Sequence, residues 1–265
     1  MEEEKQYHLI YGDGSSMEII RNGEVDLVMT SPPYFDLETE GYLKLPRREQ
    51  TEISMVRERI TSFALSIRPV YEEIRRILRP GGILAIQVKD VNYGGFLFPV
   101  SSIHREMAES TGLLMLTRTF WHKYGRRSDA TKFLRNPKVG AFRADQVEEI
   151  MIFSDGEVTA GLSPPVDLPF DEIQEATNPT WNFSPVSGSS RVHRHQSPDA
   201  MIKRLVLLFS KPGDLVVDPF AGAGTTLSTA VKLGRRAIGY EIDERTVGNA
   251  RPAIKRSIAK TLIKH

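Results

Sequence analysis

The 265-residue chain has no cysteine, which excludes disulfides, thiolate zinc sites and cysteine nucleophiles. It has no apolar run approaching the roughly 18–20 residues of a membrane-spanning helix. Its opening Met-Glu-Glu-Glu-Lys lacks the basic-then-apolar order of a secretory signal, so a cytoplasmic protein without a membrane partner is expected. His122, His193 and His195 are too scattered to suggest a metal site, and none is expected. Net charge is also scarce, at +1, so the bulk balance points to no particular partner. What remains, 40% hydrophobic and 26% charged residues, is ordinary globular composition, and the length suits one large α/β domain or a domain with a small appendage.

The distribution of charge says more than its sum. From Trp121 to Arg143 there are seven Lys/Arg against one acid, Asp129. Trp121, Tyr124, Phe133 and Phe142 are interleaved with them. Cations mixed with aromatics suit a polyanion with stackable bases, although a solvated charged loop has the same composition. From Asp155 to Asn178 there are six acids and no Lys or Arg.

Apolar periodicity predicts strands at about 7–11, 25–30, 82–89, 113–121, 147–153, 214–218 and 236–241. It predicts helices at about 15–21, 52–78, 99–110, 198–210, 225–233 and 243–261. Such alternation implies a mostly parallel seven-stranded sheet with helices on both faces. Residues 113–121 and 147–153 are expected to form an antiparallel hairpin at its edge. Arg79-Pro80-Gly81-Gly82 punctuates the change from helix to strand, and Pro69 is a candidate kink. The stretch 155–190, rich in Pro, Ser, Gly and acids, reads as a loop, linker or small accessory lobe.

Two stretches carry chemistry. In "VDLVMTSPPYF" (25–35) a buried strand runs into two prolines. Proline has no N–H to donate, so Pro32 ends the ladder and leaves Ser31 and Tyr34 on a stiff loop at the strand's carboxyl end. That edge of an α/β sheet is where ligands bind. In "DLVVDPFAGAGTTLSTAVKLGRRAIGYEID" (214–243) Asp218 closes a strand, and Gly222 and Gly224 allow a sharp turn. Thr225 or Thr226 then opens a helix, and Glu241 ends the next strand nineteen residues after Gly222. An acid there can take the hydroxyls of a ribose. A phosphate-binding P-loop needs a lysine where Thr225 and Thr226 stand, so that reading fails. A dinucleotide fingerprint wants a third small residue where Leu227 stands, which weakens it. S-adenosyl-L-methionine needs neither feature, so it is favoured while a nicotinamide dinucleotide stays open.

Together the two stretches resemble the amino-group DNA methyltransferases, with "TSPPYF" similar to the family's catalytic loop and "DPFAGAGTT" to its cofactor loop. Gly12-Asp13, Arg79-Pro80-Gly81-Gly82, Trp121-His122-Lys123 and, more weakly, "HQSP" (195–198) extend the likeness over nearly the whole chain. The catalytic loop precedes the cofactor loop, the order of the family's β group. The resemblance implies a Rossmann-like S-adenosylmethionine-dependent methyltransferase fold in a single catalytic domain (1–265), with a small target-recognition insertion within about 122–190. It implies catalytic Ser31, Pro32, Pro33 and Tyr34, and a cofactor site of Asp13, Asp218, Pro219, Phe220, Gly222, Gly224, Thr225, Thr226, Glu241 and Ile242.

The chemistry agrees: methylating C5 of cytosine requires a cysteine, whereas an exocyclic amine needs only orientation toward a sulfonium methyl and loss of a proton. The Ser31 hydroxyl and the Pro32 carbonyl can accept hydrogen bonds from that amine, and Tyr34 offers a face to a base flipped out of duplex DNA. Within the family a Ser-Pro-Pro-Tyr loop leans toward cytosine N4 and an Asp-Pro-Pro-Tyr loop toward adenine N6, so cytosine N4 is favoured here and adenine N6 is the alternative. The triplet alone is a weak signal, because Ser163-Pro164-Pro165 repeats it with no apolar strand before it.

Double-stranded DNA is the implied partner, contacted by Arg47, Lys123, Arg126, Arg127, Lys132, Arg135, Arg191 and Arg194. The family's usual recognition region is short here and its first half acidic, so recognition falls to those clusters, to a homodimer or to another protein. A cognate restriction endonuclease belongs to the same set of implied partners, and a prokaryotic or phage-host cell is the implied setting. From other classes, a nicotinamide-dependent oxidoreductase and a non-catalytic nucleic-acid-binding module remain as competitors.

Overall fold

In the computed structural model the described residues are 6–33, 53–93, 96–123, 147–156, 168–186 and 197–262. The strands are β1 (Tyr7–Tyr11), β2 (Val25–Thr30), β3 (Leu78–Val88), β4 (Val91–Tyr93), β5 (Phe96–Phe98), β6 (Leu114–Lys123), β7 (Val147–Ser154), β8 (Thr180–Phe183), β9 (Leu215–Asp218) and β10 (Arg236–Glu241). The helices are α1 (Ile53–Ile77), α2 (Val100–Ser110), α3 (Phe170–Ala176), α4 (Asp199–Phe209), α5 (Thr225–Lys232) and α6 (Glu244–Leu262).

Eight strands form the main sheet in the order β1-β10-β9-β2-β3-β7-β6-β8, and β4 and β5 make a separate hairpin. Only β7 runs against its neighbours; every other pairing in the main sheet is parallel. A parallel sheet must be covered on both faces, and the strand sequences supply two apolar faces by alternation. Val28, Leu84, Ile86, Met151, Phe153 and Val217 pack with α1 and α2 on one side. Leu27, Met29, Ala85, Ile150, Ile152 and Val216 pack with α4, α5 and α6 on the other. At the amino ends Asp26 ties three strands, accepting from Arg79 Nε (2.6 Å) and from the Leu215 N–H (2.9 Å).

All seven expected strands form. The hairpin of β6 and β7 is antiparallel as expected, but it is not the edge: β8 pairs in parallel with residues 120–123 of β6. Thus part of the Pro- and acid-rich stretch is ordered structure. Trp181 anchors it, buried to 2% exposure, with Nε1–H donating to the Ala176 carbonyl and Arg204 stacked over its ring. Pro69 lies within α1 without dividing it. The Arg-Pro-Gly-Gly stretch is absorbed into β3 as an irregularity, where β3 advances from Leu78 to Ile83 while β2 advances only from Val25 to Leu27.

The helix expected over 15–21 is absent and the segment turns instead. The cause lies in α1. Glu73 accepts the Met17 N–H (2.8 Å), while Arg76 donates to the Met17 and Ile20 carbonyls (3.1 and 2.9 Å). Backbone groups that a helix would use are taken by side chains. Arg76 in turn holds the Glu73 carboxyl below its usual pKa through their hydrogen-bonded ion pair.

Candidate functional site

The chain reverses its direction of travel across the sheet between β9 and β2. From β2 it steps to β3, whereas from β9 it steps to β10, which lies on the opposite side. A crevice at the carboxyl ends of strands opens at such a switch point. Both singled-out loops leave the sheet here, and their first contact is direct: Thr30 Oγ1 donates to Asp218 Oδ1 over 2.8 Å, across 188 residues of sequence. The Phe220 N–H donates to the same oxygen (3.1 Å).

Asp218 is only 4% exposed. Burial raises its pKa to about 6, against hydrogen bonds from Thr226, Thr30 and the Phe220 N–H, with nearby Glu241 pushing the same way as burial. Glu241 holds the turn from the other side, accepting the Gly222 N–H at Oε2 and the Asp243 N–H at Oε1, each over 2.9 Å. Its own carbonyl accepts from the Gly12 N–H (3.0 Å), which draws in the loop after β1. That loop then seats closely: a Cβ on Gly14 would come within 2.7 Å of the Pro219 carbonyl oxygen. Asp13 is exposed, and its Oδ1 caps its own turn by accepting the Ser15 N–H (2.9 Å).

Gly224 opens α5 with φ +74°, the left-handed region where glycine is favoured. A Cβ there would lie 2.6 Å from Ile254 Cγ1, inside the packed α5–α6 interface. Gly224→Ala is expected to destabilise the fold by about 2–4 kcal/mol, combining left-handed strain with overpacking. Chemical denaturation would measure it, and an unchanged midpoint would refute the close fit. Gly222 is different: its φ is +49°, and the nearest atom to an added Cβ would be 3.9 Å away. It therefore leaves open space at the loop's outer face. Ile242, 45% exposed, is an apolar surface directly after Glu241, and Phe220 is partly buried against the core.

The structure thus gathers Asp13, Ser31, Pro32, Pro33, Asp218, Pro219, Phe220, Gly222, Gly224, Thr225, Thr226, Glu241 and Ile242 around the carboxyl ends of β1, β2, β9 and β10. Two buried or half-buried carboxylates, a half-buried glycine turn and an apolar shoulder suit a ligand with a diol, a flat apolar ring and a cationic end.

Lys123, expected to contact DNA, is instead turned inward. It is 8% exposed, its ammonium lies 2.5 Å from Glu148 Oε1 and it sits over the Trp121 ring. Desolvating a lone ammonium is costly, so burial came with a paired carboxylate. Glu148 also accepts from Gln87 Nε2, and Ser197 Oγ donates to Gln87 Oε1, completing a buried polar cluster. Tyr34, Arg47, Arg126, Arg127, Lys132, Arg135, Arg191 and Arg194 lie outside the described residues. Sequence reasoning missed Thr30 and Gly14. A polar residue closing an apolar strand, and a second glycine after Gly12-Asp13, were their only signals.

Among the described residues no helix is long and apolar enough to cross a membrane, and no group of His, Asp and Glu is placed to hold a metal. A family model described as DNA methylase matches residues 25–251. The Type II methyltransferase M.MjaI of Methanocaldococcus jannaschii is 30% identical, over 90% of this chain and 88% of its own length. A Thermus thermophilus protein assigned as a DNA modification methylase, complexed with S-adenosyl-L-methionine, superposes with a TM-score of 0.72. It is 27% identical, with 95% and 94% of the two chains covered. The cytosine-N4-specific PvuII DNA methyltransferase shares the fold, with a TM-score of 0.68 at 17% identity over 98% and 94% of the chains.

Proposed function

The chain belongs to the DNA methylase family, and from that premise we propose that it transfers a methyl group from S-adenosyl-L-methionine to the N4 amine of a cytosine flipped out of duplex DNA. The observation that carries this reading is the adjacency of β2 and β9, which sets Ser31-Pro32-Pro33 beside the Asp218–Glu241 crevice. The relative of known structure that binds S-adenosyl-L-methionine supports the cofactor. The donor set fits it too. Glu241 would take ribose hydroxyls, Ile242 and Phe220 would flank adenine, and Asp218 and Asp13 would face the cationic amino-acid end. Gly222 leaves room for the ligand's close approach.

When bound, that cofactor supplies an electrophilic sulfonium methyl. The chain's own residues orient the nucleophile. The Ser31 hydroxyl and Pro32 carbonyl accept the amine's N–H groups, so that its lone pair is aimed rather than shared with the ring. Tyr34 stacks the extruded base, returning part of the few kcal/mol that unstacking costs. Arg126, Arg127, Lys132, Arg135, Arg47, Arg191 and Arg194 supply phosphate contacts, and target recognition lies in the segments that carry them. A cytoplasmic enzyme of a prokaryotic or phage-host cell is the setting this reading implies.

Mass spectrometry of nucleosides from DNA of cells expressing the protein tests the proposal. N4-methylcytosine, absent from control cells, is the expected product. N6-methyladenine would keep the enzyme class and reverse the base assignment; unmodified DNA would reject the reading.

A further inference from the structure

Two successive prolines create a mechanical problem. Pro32 and Pro33 have no N–H, so this part of the loop can be fastened by its backbone only through carbonyl oxygens. A donor must therefore come from elsewhere, and the structure holds one. His104 of α2, 0% exposed, places Nε2 3.4 Å from the Pro33 carbonyl oxygen and Nδ1 2.8 Å from the hydroxyl of Tyr71 of α1, itself 1% exposed. Phe63 meets the imidazole edge-on at 5.7 Å between ring centres.

The chemistry of the partners dictates the protons. A carbonyl only accepts, so Nε2 carries the hydrogen; Nδ1 is then the acceptor, and the Tyr71 hydroxyl must donate to it. The relay has one direction, from phenol to imidazole to the loop. Burial keeps the ring neutral, pushing its pKa down to about 4 against the pull of the Pro33 carbonyl.

We propose that His104, oriented by Tyr71, is a positioning residue for methyl transfer: it holds the Pro33 carbonyl and so fixes the Ser31-Pro32-Pro33 stretch that orients the target amine. The carbonyl of Pro33 and the N–H of Tyr34 belong to one rigid plane. Holding the oxygen therefore fixes the peptide plane that closes the Ser31-Pro32-Pro33 stretch. The 3.4 Å separation leaves room for this bond to shorten when the site is loaded, as hydrogen bonds around a reaction centre do.

The inference rests on the DNA methyltransferase reading, and its test separates the two. Three full-length variants are compared with wild type: His104→Phe fills the space without a donor, His104→Gln restores an N–H at the Nε2 position, and Tyr71→Phe removes the orienting hydroxyl. Methyl incorporation from labelled S-adenosyl-L-methionine into unmodified genomic DNA, cofactor affinity by calorimetry and thermal melting are all measured. His104→Phe is expected to slow transfer about ten- to a hundredfold, the scale of a misplacement near 1 Å, with cofactor affinity within about twofold. His104→Gln should regain most of the rate, and Tyr71→Phe should fall between.

Wild-type rates in His104→Phe, or a loss that follows melting and cofactor affinity equally in all three variants, would overturn the inference. The nitrogen NMR spectrum of the wild-type ring decides independently of activity. Hydrogen on Nε2 with Nδ1 bare supports the relay, and the opposite tautomer removes it. Should wild type modify no DNA, the functional reading fails, and the ring spectrum still decides the relay.

Discussion

Asp218→Asn is expected to lower affinity for S-adenosyl-L-methionine by about ten- to a hundredfold, the worth of one charge-assisted interaction, while making the free protein more stable at neutral pH. The second half follows from linkage. The Asp218 carboxyl titrates at about 6 in the fold, against an ordinary value of 3.8, because burial penalises its charge. As pH rises, the unfolded chain releases this proton first, so the fold loses stability between roughly pH 4 and 6. Above that window it carries the full penalty, on the order of 3 kcal/mol.

Asparagine keeps an acceptor for Thr30 Oγ1 and the Phe220 N–H and never ionises. Its advantage should be present at pH 7.5 and shrink toward pH 5, where the wild-type carboxyl is protonated as well. By the same titration, wild-type cofactor affinity should decline as pH falls through about 6, since the cationic ligand then loses its counter-charge. Thermal melting and calorimetry at the two pH values suffice. Wild-type affinity in the asparagine variant would remove Asp218 from the binding role.

Tyr34→Ala should do the opposite: reduce methyl transfer about ten- to a hundredfold and leave cofactor affinity within about twofold. A base stacked on an aromatic ring gains roughly 1–3 kcal/mol, and the extruded base has lost its neighbours in the duplex. Asp218 closes β9 whereas Tyr34 comes after β2 in the chain, so their effects should separate. Single-turnover transfer and calorimetry on one preparation measure both. Equal loss of cofactor binding in the two variants would collapse the division of labour between the loops.

Much of this arrangement was legible in the residues. Alternation placed all seven strands, and the glycines at 222 and 224 marked the turn that Glu241 closes. What escaped had one physical cause: the deciding partner lies far along the chain. Residues 15–21 have helical spacing, but Glu73 and Arg76 claim their backbone groups from 56 to 59 positions away. Lys123 looks like a phosphate contact until the β6–β7 register sets Glu148 opposite Trp121. Strand β8 has only four residues and is a strand because β6 offers it an edge. His104 had no signal at all; its role depends on a carbonyl 71 residues away.

The order of strands also bears on how the protein is made. Among the described residues β1 pairs only with β10, and β2 waits for β9 as its second neighbour. A chain still emerging from the ribosome therefore holds β1 unpaired until β10 has been added, long after the Ser31-Pro32-Pro33 stretch. Non-local pairings of this kind form slowly and leave apolar strand edges open meanwhile. Cofactor-binding competence would thus arrive only once β10 has been made, and a chain terminated before it would carry the two prolines yet lack the Glu241 side of the crevice.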